Sequence, residues 1–324
     1  MSTATGADSR AGSMRAAIGV DLGGTKIAAG LVCAGGVVLD RASAPTPALH
    51  GPGAVLDTVV DLVRSLLERA GGDVVVSGCG VGSAGVIDAA SGIVSSATDS
   101  LPGWSGTRVR DVLTTALAMP VAVVNDVHAH ALGEALHGAG AGSPTVLMVA
   151  AGTGVGGALV IDGRVQSGRC GVSGHFGHVP AIEAVGRPCT CGGSGHVEAV
   201  ASGPAMCAVY RELSGDASVA DGREVVRRAA GGDEHAAASV ALAGGALGRM
   251  IGGLLNALDP DVVIVGGGLA AAGEAWWAAL RDAAGAERMP LLADTPIVGA
   301  ALGADAAIVG AAALVATTVM EESA

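Results

Sequence analysis

The sequence predicts an α/β protein made of two related halves, and three observations carry the prediction. Short β-rich apolar runs alternate with longer stretches of helical period. Two glycine-punctuated hairpins, Asp21-Leu-Gly-Gly-Thr-Lys26 and Gly152-Thr-Gly-Val-Gly-Gly157, echo one another. An apolar run also ends on Asn125-Asp126 just before helical spacing resumes, and strand ends of α/β sheets are where ligands collect.

Residues 1–14 are mostly small or polar, without the apolar core of a signal peptide, and read as a disordered leader. Ala17–Val20, Lys26–Val32 and Gly36–Leu39 then suggest three antiparallel strands. From Ala54 to Ala70 the apolar residues Val55, Val59, Leu62, Val63, Leu66 and Leu67 keep the helical period. Val74–Val81 is a buried strand entering the turn Gly82-Ser-Ala-Gly85, and Ile87–Val94 is a hairpin through Ala90-Ser-Gly92. Ser100-Leu-Pro-Gly-Trp104 is a turn that exposes or pockets an indole.

Val109–Leu117 is helical and ended by Pro120, Val121–Val124 is a short strand, and Val127–Leu136 is a helix. Thr145–Val149 and Ala158–Ile161 flank the second glycine hairpin. A Gly/His/Cys-rich loop, Gly163–Gly195, precedes helices over Glu198–Leu213, Gly222–Ala230 and Asp233–Leu258. The chain closes with strand Val262–Val265, the turn Gly266-Gly-Gly268, a helix carrying Trp276 and Trp277, a last strand ending at Val298, and an Ala-rich helix over Asp305–Thr317.

Composition narrows the function. The 324 residues include 54 Gly but only three Trp, one Tyr and one Phe, so Ala, Val and Leu must build the core. A net charge of -12 leaves no basic face for nucleic acid or an anionic membrane. The uncharged run Gly138–Ile161 is long enough to flag a membrane helix, but Pro144 and the glycines from Gly152 break it. No transmembrane span is predicted, and the expected compartment is cytoplasmic. Six cysteines in a chain this long do not read as a secreted disulfide framework, and Cys33, Cys79, Cys170 and Cys207 are expected as plain buried thiols.

Three constellations carry chemistry. At the first hairpin, Gly23 and Gly24 allow positive φ and close backbone approach to a phosphate, Thr25 adds a hydroxyl and Lys26 a charge, while Asp21 offers a carboxylate for a metal-bound water. Its plainer reading is a tight Gly-Gly hairpin. The second hairpin makes a pair with it, two donor-rich loops able to grip one polyphosphate, and Gly266-Gly-Gly268 offers a third close approach suited to an adenosine face. At the strand end, Asp126 is either an N-cap or a general base taking a hydroxyl proton while Asn125 holds the acceptor. His128 and His130 read as helix-surface residues. Finally, His178, Cys189, Cys191 and His196 have the donor types of a closed tetrahedral structural zinc site, against reduced thiols beside surface histidines. Spacing leaves open His175 in place of His178.

Taken in order, Asp21-x-Gly-Gly-Thr-Lys26, Leu101-Pro-Gly-Trp104, Asn125-Asp126 followed by Ala131-Leu-Gly-Glu134, Gly152-Thr-Gly-x-Gly-Gly157, Gly177-His178, Cys189-x-Cys-Gly-x-x-Gly195 and Gly266-Gly-Gly268 resemble the ROK family (repressors, open reading frames and sugar kinases), in particular its bacterial glucokinase-like members. The resemblance implies an actin-like ATPase (ribonuclease H-like) fold with two α/β domains around a cleft for ATP and a sugar. It also implies a small domain over 15–124 with the C-terminal helix 304–318 packed on it, a larger domain over 125–303 with a zinc-binding loop 175–198, and a homodimer or homotetramer. Asp126 is then the catalytic base, and Asn125, Glu198 and His178 contact the sugar, with His178 also on zinc. Asp21, Gly23, Gly24, Thr25, Lys26, Gly152, Thr153, Gly154, Gly267 and Gly268 hold ATP with Mg²⁺. The implied reaction is transfer of a phosphoryl group to a hydroxyl of the C6 type.

Three departures flank the expected sugar pocket. His175 stands where family sugar kinases usually carry a Glu that clamps two ring hydroxyls, and imidazole cannot accept two hydroxyl protons. Ser100 stands where Asn is common and Ala84 where Pro is common. His196 replaces the usual third zinc cysteine, and Cys₂His₂ still satisfies zinc. An ATP-dependent hexose kinase is therefore expected, with a specialised kinase for an amino sugar of the kanosamine kind or a C7-cyclitol as the alternative. A sugar-responsive repressor would need a helix-turn-helix module ahead of Asp21, where 20 residues stand, and a non-catalytic sugar-binding regulator would not need an intact Asp126 and both hairpins.

Overall fold

The computed structural model describes residues 14–321 apart from 73 and 99, so the leader predicted over 1–14 lies, but for Met14, outside the described residues. The chain divides into two units, one holding the residues up to Asp126 together with those from Ile308 onward, the other Val127–Ala307.

In the first unit, β1 (Met14–Leu22), β2 (Lys26–Cys33), β3 (Val38–Pro45), β4 (Val74–Ser83) and β7 (Val121–Asn125) form one sheet in the order β3-β2-β1-β4-β7. β1, β2 and β3 are antiparallel neighbours, whereas β4 and β7 join in parallel. β3 starts later and runs longer than Gly36–Leu39, because the turn Ala34–Gly36 takes two glycines in left-handed φ. Helices α1 (Gly51–Ala70) and α2 (Val109–Leu117) cover the sheet, burying Val59, Val63, Leu66 and Leu113 against Ile18, Val20 and Val81. The hairpin β5 (Val86–Asp88) and β6 (Ile93–Ser96) has the predicted turn. Trp104 is buried, and its indole N–H donates to Ser83 Oγ at 3.1 Å.

The last helix, α9 (Ala306–Glu321), lies against this sheet at two glycines. A Cβ on Gly19 would stand 1.9 Å from Ile308 O, and one on Gly80 1.7 Å from Ala311 O, so only residues without a side chain let α9 approach this closely.

The second unit repeats the pairing pattern. β8 (Thr145–Ala151), β9 (Val155–Ile161), β10 (Arg164–Val165), β11 (Val262–Gly266) and β12 (Ile297–Gly299) are ordered β10-β9-β8-β11-β12, three antiparallel strands and then two in parallel. Helix α3 (Asp126–His137) leads into this unit, and α4 (Glu198–Ala201), α5 (Gly203–Ser214), α6 (Gly222–Ala230), α7 (Glu234–Leu258) and α8 (Glu274–Glu287) complete it. The stretch expected as one helix from Glu198 is split at Ser202, whose hydroxyl caps α5 ahead of Pro204. By length and composition α7 passes for a membrane helix, and most of that surface is buried, with α5, α6 and α8 packed on it. Met206, Leu247, Ile251 and Trp276 form the centre of this core.

Candidate active site

In the first unit the register places the reactive residues on one edge. Leu22 pairs with Ser83, and Ser83 with Asn125, so the carboxyl ends of three parallel strands bring the tip Gly23–Thr25, the turn Ser83–Gly85 and Asn125-Asp126 along one side of the sheet. The tip is a tight turn, Gly23 N–H donating to Lys26 O, and Thr46 pins it twice, through its hydroxyl on Gly23 O (2.7 Å) and its N–H on Thr25 O (3.0 Å). Gly23 and Gly24 do not adopt positive φ, contrary to expectation. Their value is space, since a Cβ on Gly24 would stand 3.0 Å from Ser100 Cβ. The Ser100 hydroxyl shares a hydrogen bond with Thr98 Oγ1 at 2.9 Å. Burial pushes the Asp21 carboxyl above its usual range, against the pull of Lys26. Asn125 Nδ2 donates to Gly85 O at 2.9 Å, and Asp126 opens α3, where the helix dipole favours a carboxylate.

In the second unit, register again gathers strand ends. Ala150 pairs with Gly266, and beyond them Gly152-Thr153-Gly154 and Gly267-Gly268 adjoin. Gly267, at φ 82°, needs its missing Cβ for a protein contact, Ala151 O at 2.3 Å. The Gly152–Gly154 turn is held at both ends: Gly203 N–H donates to Gly152 O (2.8 Å), and Val155 N–H to Glu198 Oε2 (2.9 Å). Beside it opens a cavity of about 670 Å³, lined by Gly152, Thr153, Pro204, Cys207, Arg211 and Gly268 among others. This is the size range of small-molecule sites. The Arg211 guanidinium is fixed there on the Val219 carbonyl.

The Gly163–Gly195 loop gains its shape by lying on β9. A Cβ on Gly174 (φ 90°) would stand 2.0 Å from Gly157 O, and one on Gly177 2.3 Å from Val155 O, so the backbone either side of His175 packs directly on that strand. The side chains of His178, Cys189, Cys191 and His196 converge, each offering a donor atom within 4.8 Å of the other three. Cys189 Sγ stands 3.5 Å from His178 Nδ1 and Cys191 Sγ 3.3 Å from His196 Nδ1. Tetrahedral zinc with Zn–S of ~2.3 Å and Zn–N of ~2.0 Å separates such donors by about 3.5 Å, so the quartet fits. His178, and not His175, is the histidine that offers a donor atom to this group together with His196. Desolvation, with His178 beside it, holds the His175 imidazole below the usual histidine value.

Several features lay beyond the sequence reading. Cys170 is exposed and Cys33 half-buried, so two of the four expected buried thiols are not. His128 is 3 % exposed and its Nε2 donates to Ser173 O at 2.8 Å, tying the helix of Asp126 to the loop of His175. His130 is half-buried with Nε2 sealed from solvent and no hydrogen-bond partner among the described residues. Neither is a surface residue, because α3 buries Ala129, Ala131, Leu132 and Ala135 around most of its girth. Glu134 is fully buried and accepts from Ala139 N–H, Ala301 N–H and Leu302 N–H, fixing the segment after β12.

Burial lowers the pKa of both His128 and His130, with Glu134 opposing it at His130. A histidine depressed in the folded state binds fewer protons there than when unfolded, so stability falls as pH drops below the unfolded value of about 6.5 and levels off beneath the folded one. We expect the denaturant midpoint to fall between about pH 7 and 5, with a shallower fall in His130→Leu. Parallel slopes in the two proteins would remove His130 from this dependence.

With this geometry in place, kinship is informative. The model of the ROK family matches residues 17–318. The glucokinase of Thermotoga maritima is 33 % identical over 311 residues, covering 92 % of this chain and 96 % of that protein. An N-acetylmannosamine kinase of Escherichia coli is 34 % identical over 253 residues, 77 % of this chain and 82 % of its own. The crystal structure of a ROK family glucokinase from Streptomyces griseus in complex with glucose and AMPPNP superposes with a TM-score of 0.75 at 31 % identity, over 92 % of this chain and 98 % of that one. The actin-like ATPase fold foreseen from the motifs is thus the fold of this chain, which belongs to the ROK family.

Proposed function

We propose that the protein is an ATP-dependent kinase that phosphorylates a C6-type hydroxyl of a hexose or hexose-like substrate. The observation that carries this is the edge of the first sheet, where a Gly-Gly-Thr-Lys tip and the Asn125-Asp126 strand end share one side. The likeness to glucokinases that span the same length supports it. Asp126 accepts the proton of the attacking hydroxyl, and Asn125 and Glu198 orient the acceptor. The turns Gly23–Thr25 and Gly152–Gly154 offer backbone N–H groups to phosphates, and the cavity beside Gly268 takes the nucleoside. Mg²⁺ bound with ATP neutralises charge on the transferring phosphoryl group, and Asp21 holds its water.

His178, Cys189, Cys191 and His196 would hold a structural zinc ion, which supplies cross-linking of the loop and no chemistry. We expect chelation to lower Tm by roughly 5 °C or more, since a metal bound only by the folded chain adds its binding energy to stability. A metal-free preparation with unchanged Tm would refute a structural ion.

His175 favours a second reading, a kinase for an amino sugar of the kanosamine kind or a C7-cyclitol. A neutral imidazole accepts one hydrogen bond and donates one, where a carboxylate accepts two. The N-acetylmannosamine kinase among the relatives shows that the family reaches amino sugars. The deciding experiment is ADP release from ATP-Mg²⁺ against glucose, mannose, N-acetylhexosamines, kanosamine and a C7-cyclitol. Turnover of glucose supports the first reading, turnover confined to an amino sugar or cyclitol the second, and no turnover refutes both. In His175→Glu the preference for glucose should rise about tenfold or more, the worth of one charge-assisted hydrogen bond. Unchanged relative rates would remove His175 from specificity.

A further inference from the structure

The Cys/His quartet and the Gly152–Val155 turn are joined by a short chain of contacts whose first link, Thr190 to Glu198, neither the site nor the reaction has required so far. Thr190, between the two cysteines, donates its hydroxyl to Glu198 Oε1. The other oxygen of the same carboxylate accepts from Val155 N–H at 2.9 Å. Glu198 is 9 % exposed, and a Cβ on Gly154 would stand 2.8 Å from its Oε2, so the carboxylate packs directly on the turn. Five residues further on, Gly203 N–H grips Gly152 O, so the start of α4 and the start of α5 hold the turn from both ends. An ionised carboxylate has about four acceptor positions, so these two bonds leave room for a sugar hydroxyl. Without Thr190, Glu198 keeps the Val155 bond but loses the contact that fixes its second oxygen.

We propose that Thr190 is a positioning residue: acting through Glu198, it transmits the shape of the Cys/His knuckle to the Gly152–Val155 turn. Its consequence for nucleotide affinity rests on the proposed role of that turn in holding ATP, whereas the mechanical link does not. The donor is a neutral hydroxyl at an exposed residue, so the effect is that of one modest hydrogen bond.

The test is hydrogen–deuterium exchange of the full chain, zinc-loaded and without nucleotide, for the wild type, Thr190→Val and Thr190→Ser. Thr190→Val keeps the shape and all four candidate ligands but removes the donor. Metal content is measured alongside. We expect Thr190→Val to retain its metal, to exchange the amides of Gly152–Val155 roughly three- to tenfold faster, and to leave α7 unchanged. Thr190→Ser should restore the wild-type rate, and AMPPNP should bind Thr190→Val more weakly by a similar factor. Wild-type exchange at the turn in metal-loaded Thr190→Val would overturn the proposal, and so would loss of the metal, which would make Thr190 a support of the knuckle alone. A wild-type chain that fails to bind AMPPNP would overturn the nucleotide reading alone, because the exchange comparison is made without nucleotide.

Discussion

Asp126→Asn should lower kcat by about 10³-fold while leaving nucleotide affinity unchanged, the usual loss when a positioned proton acceptor is removed. The substitution costs the fold little, because the helix dipole's preference for a carboxylate at this position contributes only about 0.3–1 kcal/mol. Asp126 opens α3 after β7, and asparagine is as good as aspartate at a helix start. The β7–β4 register that fixes this strand end lies in backbone pairing up to Ser83 and Asn125. The variant should therefore keep its Tm and its Kd for AMPPNP, and only proton transfer from the acceptor hydroxyl should fail. Single-turnover kinetics with ATP-Mg²⁺ separate that step from binding. Turnover within threefold of the wild type would dismiss Asp126 as the base and return it to the helix-capping role its position also allows.

Gly174→Ala should be the most damaging single methyl in the second unit's loop, destabilising the protein by about 3 kcal/mol or more. Two effects add. The residue sits at φ 90°, where a side chain is strained, and its Cβ would stand 2.0 Å from Gly157 O, a backbone atom in the middle of β9 that cannot step aside. Gly186→Ala isolates the first effect, because Gly186 has φ 78° but nothing within 4 Å of its Cβ position. That control should cost only about 1 kcal/mol. In Gly174→Ala we expect a Tm lower by roughly 5–10 °C and a raised KM for the sugar, since relief of the clash moves His175 off the strand. Equal losses in the two variants would show that the close approach to Gly157 contributes nothing.

Elements with strong local signals were legible in the chain. Val109–Leu117 matches α2 residue for residue, because a clear apolar period ends at Pro120. Both hairpins were visible from their glycines, and so was the quartet, since cysteines and histidines have few other reasons to cluster. Burial was misjudged where local polarity conflicted with packing: the histidines of α3 sit among small alanines whose covering elements come from far along the chain. The site's second layer was illegible for the same reason. Thr46 reaches Gly23 across 23 residues, Glu198 reaches Val155 across 43, and Glu134 reaches Ala301 across 167. No spacing rule encodes such pairs, because they exist only once two sheets have chosen their registers.

The seating of α9 has a consequence for the order in which the protein is made. The first unit is assembled from two segments that flank the second, whereas the second is contiguous. On the ribosome, β1 and β4 emerge well before α9, and the backbone groove at Gly19 and Gly80 receives Ile308 and Ala311 only after the whole second unit has been translated. The first unit is thus completed only after the second has been translated, the reverse of the usual N-terminal-first sequence of domain folding. Until α9 emerges, a nascent chain displays an uncovered sheet face of the kind that invites aggregation, and deletion of α9 would leave that face exposed for the life of the protein.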